Sequence, residues 1–521
     1  MNQVRVIYHI ARADFHERVR RYSFLVMLML VLFLGYQTAI GNLALELGKY
    51  RGEFNSAWVG AMMSLIATFF IGWFGFYLVK GSVARDKETG VGQIMATTPM
   101  TRPLYMLGKW FSNFAVLMAM IATLALAGLV IQFLQGENTQ LNLWAFLAPF
   151  LFIALPLMAV VAAAAVLFEA IPFLSGGFGN IVYFFVFIMF VPLFMENDTL
   201  SKYPAYEPMG LALLASEMGK AVSAIYPDYS GDFSLGGGFT QATEIFTWNG
   251  IHWTPDLIFA RLSLIALALA FAFLAALFFD RFDTSRAKPK RTKKTIASSP
   301  DLVAVAPSRA LPTLHLTPLA ASAKRFSFVN VLAAEMKLLL KGQPWWWYAV
   351  AGGLIVAGLV NTPENGRAYV LLIAWIWPTL IWSSLGNREI HHNAHQMVFA
   401  SASPVWRQLP AQWLAGFIVT ALTGAGVAIK LLAVGDTVGM LAWLSGALFI
   451  PSLALVFGVW SNTSKVFEIV YLTLWYIGPL NNVPEVDFLG AHSGGNLGLF
   501  IPLSALLVAV AFVGRMRQVR G

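Results

Sequence analysis

The feature that most constrains this chain is a run of roughly 20 apolar residues, bounded by charges or turn formers, that recurs along almost its whole length. A run of that length lets a helix cross the hydrocarbon of a bilayer, where an open strand or loop would leave peptide groups without hydrogen bonds. Candidate spans lie near 23–40, 58–80, 104–134, 143–168, 179–195 and 255–279, and a second set near 345–360, 368–386, 411–433, 438–460, 467–482 and 497–514. The composition agrees: 58% of the 521 residues are apolar and 12% charged, where soluble domains carry about 25% charged residues. The expected fold class is an all-α polytopic membrane protein of about 12 transmembrane helices. The chain has no cysteine, which excludes disulfides, thiolate catalysis, iron–sulfur clusters and cysteine zinc sites.

Crossing at every span puts the N-terminus, the 81–103 loop, the 281–325 segment, the 387–410 loop and the C-terminus on one side. That side carries 28 of the 35 lysines and arginines, including Arg18, Arg20 and Arg21, and the other side carries five. Basic loops stay cytoplasmic, so both termini are expected inside a plasma membrane, with a bacterial cell as the expected setting. The remaining two, Arg261 and Lys430, sit near the outer ends of their spans, where snorkelling is the expected role and a substrate role the alternative. The net charge of +9 is thus topological. The run Lys288 to Lys294 reads as a solvated linker near membrane lipid, and no nucleic-acid partner is expected. The first apolar run follows a long basic segment and reads as a retained anchor rather than a cleaved signal.

The linker rich in Ala, Pro, Ser and Lys divides the chain into two parallel six-helix repeats. The expected organisation is an elbow helix at 1–22, a first half at 23–280, a linker at 281–325, a second elbow at 326–343, a second half at 344–514 and a tail at 515–521. Each elbow is amphipathic and expected in the membrane interface: Val4, Ile7, Ile10, Ala11 and Phe15 share one side of the first, and Val331, Leu332, Met336 and Leu339 one side of the second. The loop after the second span sharpens the case for duplication. Arg85-Asp-Lys-Glu-Thr-Gly-Val-Gly-Gln93 is matched 303 residues later by Arg388-Glu-Ile-His-His-Asn-Ala-His-Gln396. Pro99, Arg102 and Trp110 reappear as Pro404, Arg407 and Trp413.

The first loop, continuing through Thr98-Pro99, Arg102 and Gly108-Lys109, resembles the cytoplasmic loop of ABC-2 type ABC-transporter permeases. The resemblance extends to the six-span order and to elbow helices such as Glu335-Met-Lys-Leu-Leu-Leu-Lys341. It implies that these loops are coupling helices seated on a cytoplasmic ATPase. The residues so implicated are Arg85, Asp86, Lys87, Glu88, Thr89, Gly90, Gln93 and Arg102 in the first loop, and Arg388, Glu389, His391, His392, Gln396 and Arg407 in the second. Departures are Val91 for the usual threonine, Asn393 where Gly90 stands, and Gln412 for Lys109. On physical grounds the charges of such a loop suit pairing across an interface, and Pro99 and Pro404 mark where the chain turns back toward the membrane.

No Gly-x4-Gly-Lys-Ser/Thr phosphate loop exists, since Gly48-Lys49, Gly108-Lys109 and Gly219-Lys220 are followed by Tyr, Trp and Ala. The resemblance therefore implies that this chain is not an enzyme and binds no cofactor. ATP and magnesium belong to a separate ATPase, with two copies per chain the simplest stoichiometry. Direction also follows the resemblance, toward export of a hydrophobic or amphipathic cargo such as a peptide, lipid or drug. Two alternatives compete. His391, His392 and His395 have metal-binding spacing for a metalloenzyme or sensor, although His392 stands where a protease glutamate belongs and no metal site is assigned. An ion-coupled transporter would need midplane acids, and Glu169 and Glu468 lie near span ends. The outer segment 196–254 contains an amphipathic stretch, Met209 to Ile225, and aromatics. Met209, Leu213, Tyr226, Trp248 and Trp253 form either an outer lid or an interfacial anchor.

Overall fold

The computed structural model describes residues 3–138, 140–195, 202–231, 233–236, 244–280, 282, 326–491 and 497–520. The chain divides into two units, Met1–Phe282 and Asp283–Gly521. Among the described residues eight helices are long and apolar enough to cross a membrane, or nine if one bent pair is a single span.

Six of these belong to the first unit. An elbow, α1 (Gln3–Val19), leads into α2 (Tyr22–Ala39). The second span, Ser56–Glu88, is built from α3 (Ser56–Ile66), a π turn at Ala67–Ile71, α4 (Gly72–Val79) and α5 (Ser82–Glu88). A short α6 (Val91–Ala96) precedes the long α7 (Arg102–Gln135). The fourth span runs through α8 (Leu143–Pro149), a π turn at Phe150–Ala154 and α9 (Leu155–Ala170). Then come α10 (Gly177–Met195), the amphipathic α11 (Leu211–Ile225) and α12 (Pro255–Phe278). Helix α9 packs against α7, α4 and α12. Ala159, Ala162, Ala163 and Ala165 of α9 and Ala268, Ala272 and Ala275 of α12 are fully buried. Small side chains let helices approach closely where no hydrophobic effect drives them together in lipid.

The all-α expectation omits four short strands beside these helices. β1 (Ala44–Glu46) pairs antiparallel with β3 (Ser234–Gly236), and β2 (Tyr50–Gly52) pairs parallel with β4 (Glu244–Phe246). Each has three residues, too few for an alternating pattern to stand out in the sequence.

Arg261 also departs from expectation, being fully buried rather than snorkelling. Its cause is a proline. Pro156 has no N–H to give the carbonyl of Phe152 four residues earlier. Arg261 on α12 takes that carbonyl instead, Nε donating at 2.9 Å. The same guanidinium donates to the carbonyls of Ala205 (3.2 Å) and Pro208 (3.1 Å) and to that of Glu207. Glu207 in turn caps α11 by accepting from the backbone of Met209 (2.6 Å) and Ala212 (3.3 Å). Burial raises the carboxyl of Glu207 above the usual range, with the backbone donors and Arg261 opposing.

The second unit opens with an elbow, α13 (Phe328–Leu340), and α14 (Trp345–Val360), whose 16 residues fall short of a full span. The apolar run expected near 368–386 is broken into α15 (Pro363–Asn365), a π turn at Gly366–Leu371, α16 (Leu372–Ile376) and α17 (Thr379–Trp382). Pro378 accounts for the last break, because it cannot continue the helical ladder. Two short helices follow, α18 (Arg388–His391) and α19 (His395–Phe399). Next, α20 (Pro404–Thr423) bends by 65° into α21 (Ala425–Val434). Beyond these lie α22 (Thr437–Ser461), α23 (Lys465–Trp475) with a π turn at Tyr476–Leu480, and α24 (Leu497–Arg520).

Indoles hold this unit together. Nε1 of Trp375 donates to Thr420 O (3.0 Å), that of Trp382 to Gly416 O (3.3 Å), that of Trp443 to Gly424 O (3.1 Å) and that of Trp475 to Leu372 O (3.1 Å). Gly424 sits at the bend because a side chain there would lie 2.7 Å from the Trp443 indole nitrogen and 2.8 Å from that of Trp375.

Arg261→Met keeps most of the apolar volume while leaving the Phe152 and Glu207 carbonyls without their donor. It should lower stability by roughly 3 kcal/mol, read as thermal unfolding in detergent by tryptophan fluorescence.

Candidate functional site

The two loops of matching sequence are anchored from beneath. In the first unit, Gly81 precedes α5 in a left-handed conformation and carries no side chain to cap it. Glu169, from the last turn of α9, supplies the cap. Its carboxylate accepts from the backbone N–H of Gly81 (2.7 Å), Ser82 (3.0 Å), Val83 (2.6 Å) and Ala84 (3.1 Å) and from the Ser82 hydroxyl (3.2 Å). A carboxylate there faces the positive end of the helix and satisfies its unpaired donors. Beside it, Lys80 Nζ donates to the carbonyls of Leu174 (3.0 Å) and Gly176 (2.9 Å) and to Asn180 Oδ1 (2.7 Å).

One turn further, the elbow, the loop and α7 meet in a buried charge cluster. Lys109 is fully buried, and its ammonium lies 2.6 Å from Asp14 of the elbow and 2.7 Å from Asp86 of α5. Arg85 reaches the other oxygen of Asp14 at 3.0 Å and also pairs with Glu17. The Tyr105 hydroxyl donates to Asp86 at 2.8 Å. Asp14 and Asp86 therefore share two cations, and three chain segments are tied through one ammonium.

The second unit holds a similar cluster, its loop residues and Gln412 lying 303 positions after their counterparts and its elbow acid 321 after Asp14, with one substitution of chemistry. Arg388 pairs with Glu335 of its elbow at 3.0 Å, as Arg85 does with Asp14. Glu389 is buried at the place of Asp86, but Gln412 stands at the place of Lys109. The amide of Gln412 donates to Glu389, and Gln408 donates to Glu389 (2.6 Å) and to Glu335 (3.3 Å). The missing cation comes from α24: Arg515 lies 3.4 Å from Glu389 and donates to the Gly386 carbonyl at 3.0 Å. Burial raises the Glu335 carboxyl above the usual range, and Arg388 and Gln408 pull against that shift. An indole further ties α7 to α9, Trp110 to the Ala159 carbonyl (3.0 Å), and another ties α20 to α22, Trp413 to Ser452 (2.9 Å).

Expected site residues therefore separate into two groups. Arg85, Asp86, Arg388 and Glu389 are bound within their own units and are not free to pair across an interface, because each already has an internal counter-charge. Lys87, Glu88, Thr89 and Gln93 are exposed in the first loop, and His391, His392 and Gln396 in the second. Gly90 and Asn393 both take positive φ, 75° and 54°, which explains why asparagine serves where glycine stood. Arg102 lines a lateral groove, while Arg407 is stacked over the Phe326 ring at 4.6 Å. Between α6 and α19 the exposed apolar side chains correspond too, Ile94 at 69% and Met397 at 78% exposure. Residues missed in the sequence are Asp14, Glu169, Glu335, Gln408 and Arg515. Asp14 and Glu335 showed only as acids in the elbows, and Glu169 only as an acid near a span end.

The outer-segment residues pack inward on the first unit. Met209, Leu213 and Trp248 are buried, Trp248 lies edge-on to Trp58 at 6.3 Å, Tyr226 stacks on Tyr50 at 4.7 Å, and Trp253 leans on Phe152 at 4.8 Å. The rings of His391 and His392 lie edge to face, 5.1 Å apart. Among the described residues no group of three His, Asp or Glu side chains is placed to hold a metal ion.

A family model described as ABC-2 family transporter protein matches residues 8–284, more than half of the chain. No curated protein and no solved structure matches.

Two measurements test the clusters. Lys109→Met leaves the buried Asp86 and the half-buried Asp14 with one fewer cation and should cost roughly 3–5 kcal/mol of stability, with Asp86→Asn added in the double variant recovering part of it. For Glu335, the folded-state carboxyl titrates above its unfolded value, so its contribution is full below about pH 4.3 and is lost as pH rises through the folded value. Glu335→Gln should flatten that segment of the pH–stability profile.

Proposed function

The chain belongs to the ABC-2 transporter family, and on that premise we propose that it carries two fused six-span halves whose paired loops receive the stroke of a partner ATPase. Members of this family are the transmembrane subunits of ABC transporters and are not themselves ATPases, so hydrolysis resides in a partner subunit. In the proposed assembly two ATPase copies serve one chain, one per loop. The elbow side is cytoplasmic, which the distribution of lysine and arginine supports, and both termini lie inside the plasma membrane. The cargo is hydrophobic or amphipathic, of the peptide, lipid or drug kind, and moves outward.

The observation that carries this reading is the division of labour in each loop. A buried charge cluster fixes the base of each loop to its elbow and to its third span, while a short helix presents an exposed apolar side chain, Ile94 or Met397, with a glutamine before it. An exposed aliphatic tip on a rigid base suits a hydrophobic cleft on another protein. A force applied at the tip reaches the third span through the cluster rather than being lost in a pliant loop. The broken helices and π turns of the second span in both units lie in the path of that force. Such departures from the α ladder are places where a helix can change its bend.

The test is co-purification with the ATPase encoded beside this chain, followed by ATP hydrolysis in liposomes. Ile94→Glu and Met397→Glu should each lower hydrolysis coupled to the chain by about tenfold, consistent with loss of an interface anchor worth roughly 1–2 kcal/mol, while thermal unfolding stays unchanged. Full hydrolysis in the double variant would overturn the docking role.

A further inference from the structure

Arg102 begins α7, and Thr101 before it makes no side-chain cap to the helix. Among the described residues the guanidinium has neither a hydrogen bond nor an ion pair. It stands at one end of a groove of about 530 Å³, whose other walls are Pro103 and, on α12, Ala270, Phe273, Leu274 and Leu277. Phe273 is 49% and Leu277 75% exposed. α12 is apolar throughout and is one of the membrane-crossing candidates, so the medium against that face is acyl chain.

A fixed positive group at one end of an apolar trough has the outline of a phospholipid. The uncapped start of a 34-residue helix adds its own positive end beside the guanidinium. The corresponding arginine of the second unit shows that the position does not require a bare cation, since Arg407 is covered by Phe326. We propose that the groove is a binding site for one anionic phospholipid, its phosphate against Arg102 and one acyl chain along α12. Anionic headgroups are preferred over zwitterionic ones because the latter bring a cation of their own to Arg102. On the other side of Arg102 lie Met95, Ala96 and Met100 at the end of the first loop. A headgroup held there braces the point at which the loop becomes the third span.

The site requires only that the chain lie in a bilayer, so it is tested on the chain alone, without any ATPase. Full-length protein in detergent is titrated with phosphatidylglycerol or phosphatidylcholine of matched chains and read by native mass spectrometry. The expected result is preferential retention of phosphatidylglycerol, lowered about tenfold by Arg102→Gln, in line with loss of one charge-assisted phosphate contact. Ala270→Trp, which fills the trough from its exposed side, should remove one bound lipid of either kind. Arg407→Gln should leave retention as in the native chain. Equal retention of the two lipids by the native chain, or unchanged retention by both Arg102→Gln and Ala270→Trp, would overturn the assignment.

Discussion

The architecture around the two loops depends on what it costs to bury an ammonium. Lys109 is wholly out of solvent, and the desolvation of such an ion amounts to several kcal/mol even after relaxation. That cost is tolerable only while Asp14 and Asp86 stay within 2.6 and 2.7 Å of it. The same requirement acts in reverse on the acids, which would otherwise be left to Arg85 alone, 3.0 Å from Asp14 and 3.8 Å from Asp86. Elbow, loop and third span therefore cannot separate by a small amount at small cost: the first ångström of opening already exposes the penalty. The cluster behaves as a clasp with a closed state and no soft intermediate. It adds specificity of arrangement more than net stability, since an apolar replacement of all three groups would pack as well.

Much of the membrane-spanning framework was legible because hydropathy is a local property. The first unit shows this best, where each expected run coincides with a helix long enough to cross a bilayer. The second unit is harder to read for the same reason. Pro378, Pro479 and Gly424 interrupt runs whose mean hydropathy hardly registers them, yet each removes or redirects a backbone hydrogen bond. Averaging over a window hides a one-residue event. The charged loops were conspicuous, and their matching spacing drew attention to the right residues. What the spacing did not convey was which charges were already satisfied. Asp14 lies 95 residues from Lys109, and Glu169 lies 88 from the Gly81 amide it caps. Pairings at that distance are made by helix packing, which no local pattern carries.

Arg261 makes the point from the opposite direction. A basic residue in an apolar run invites a reading by charge, toward the interface or toward a substrate. Its neighbours instead use it as a source of donors: Pro156 leaves the Phe152 carbonyl unpaired, and a fork of N–H groups is the cheapest way to serve that carbonyl together with three others on the 205–208 segment. Proline and arginine lie 105 residues apart and explain one another only once α9 and α12 are seen side by side.

The two clusters also bear on how a duplicated plan can diverge. If the halves arose from one ancestor, the replacement of Lys109 by Gln412 would strand Glu389 unless another cation entered. Arg515 does so from α24, the last helix of its unit, whereas among the described residues the first unit's cluster takes its cations from α5 and α7 and none from its own last helix, α12. The acid is kept, the cation is kept, and the element that supplies the cation has changed. Conservation of charge balance rather than of residue identity is what burial enforces, because a low-dielectric site penalises the net charge and is indifferent to which helix neutralises it. The consequence is mechanical. In the first unit the cation on α7 closes the clasp within the third span itself. In the second, the clasp also engages the last helix, so a displacement of its loop must move α24 as well as α20. Two loops with similar exposed tips are thus tied to different sets of helices within their own units.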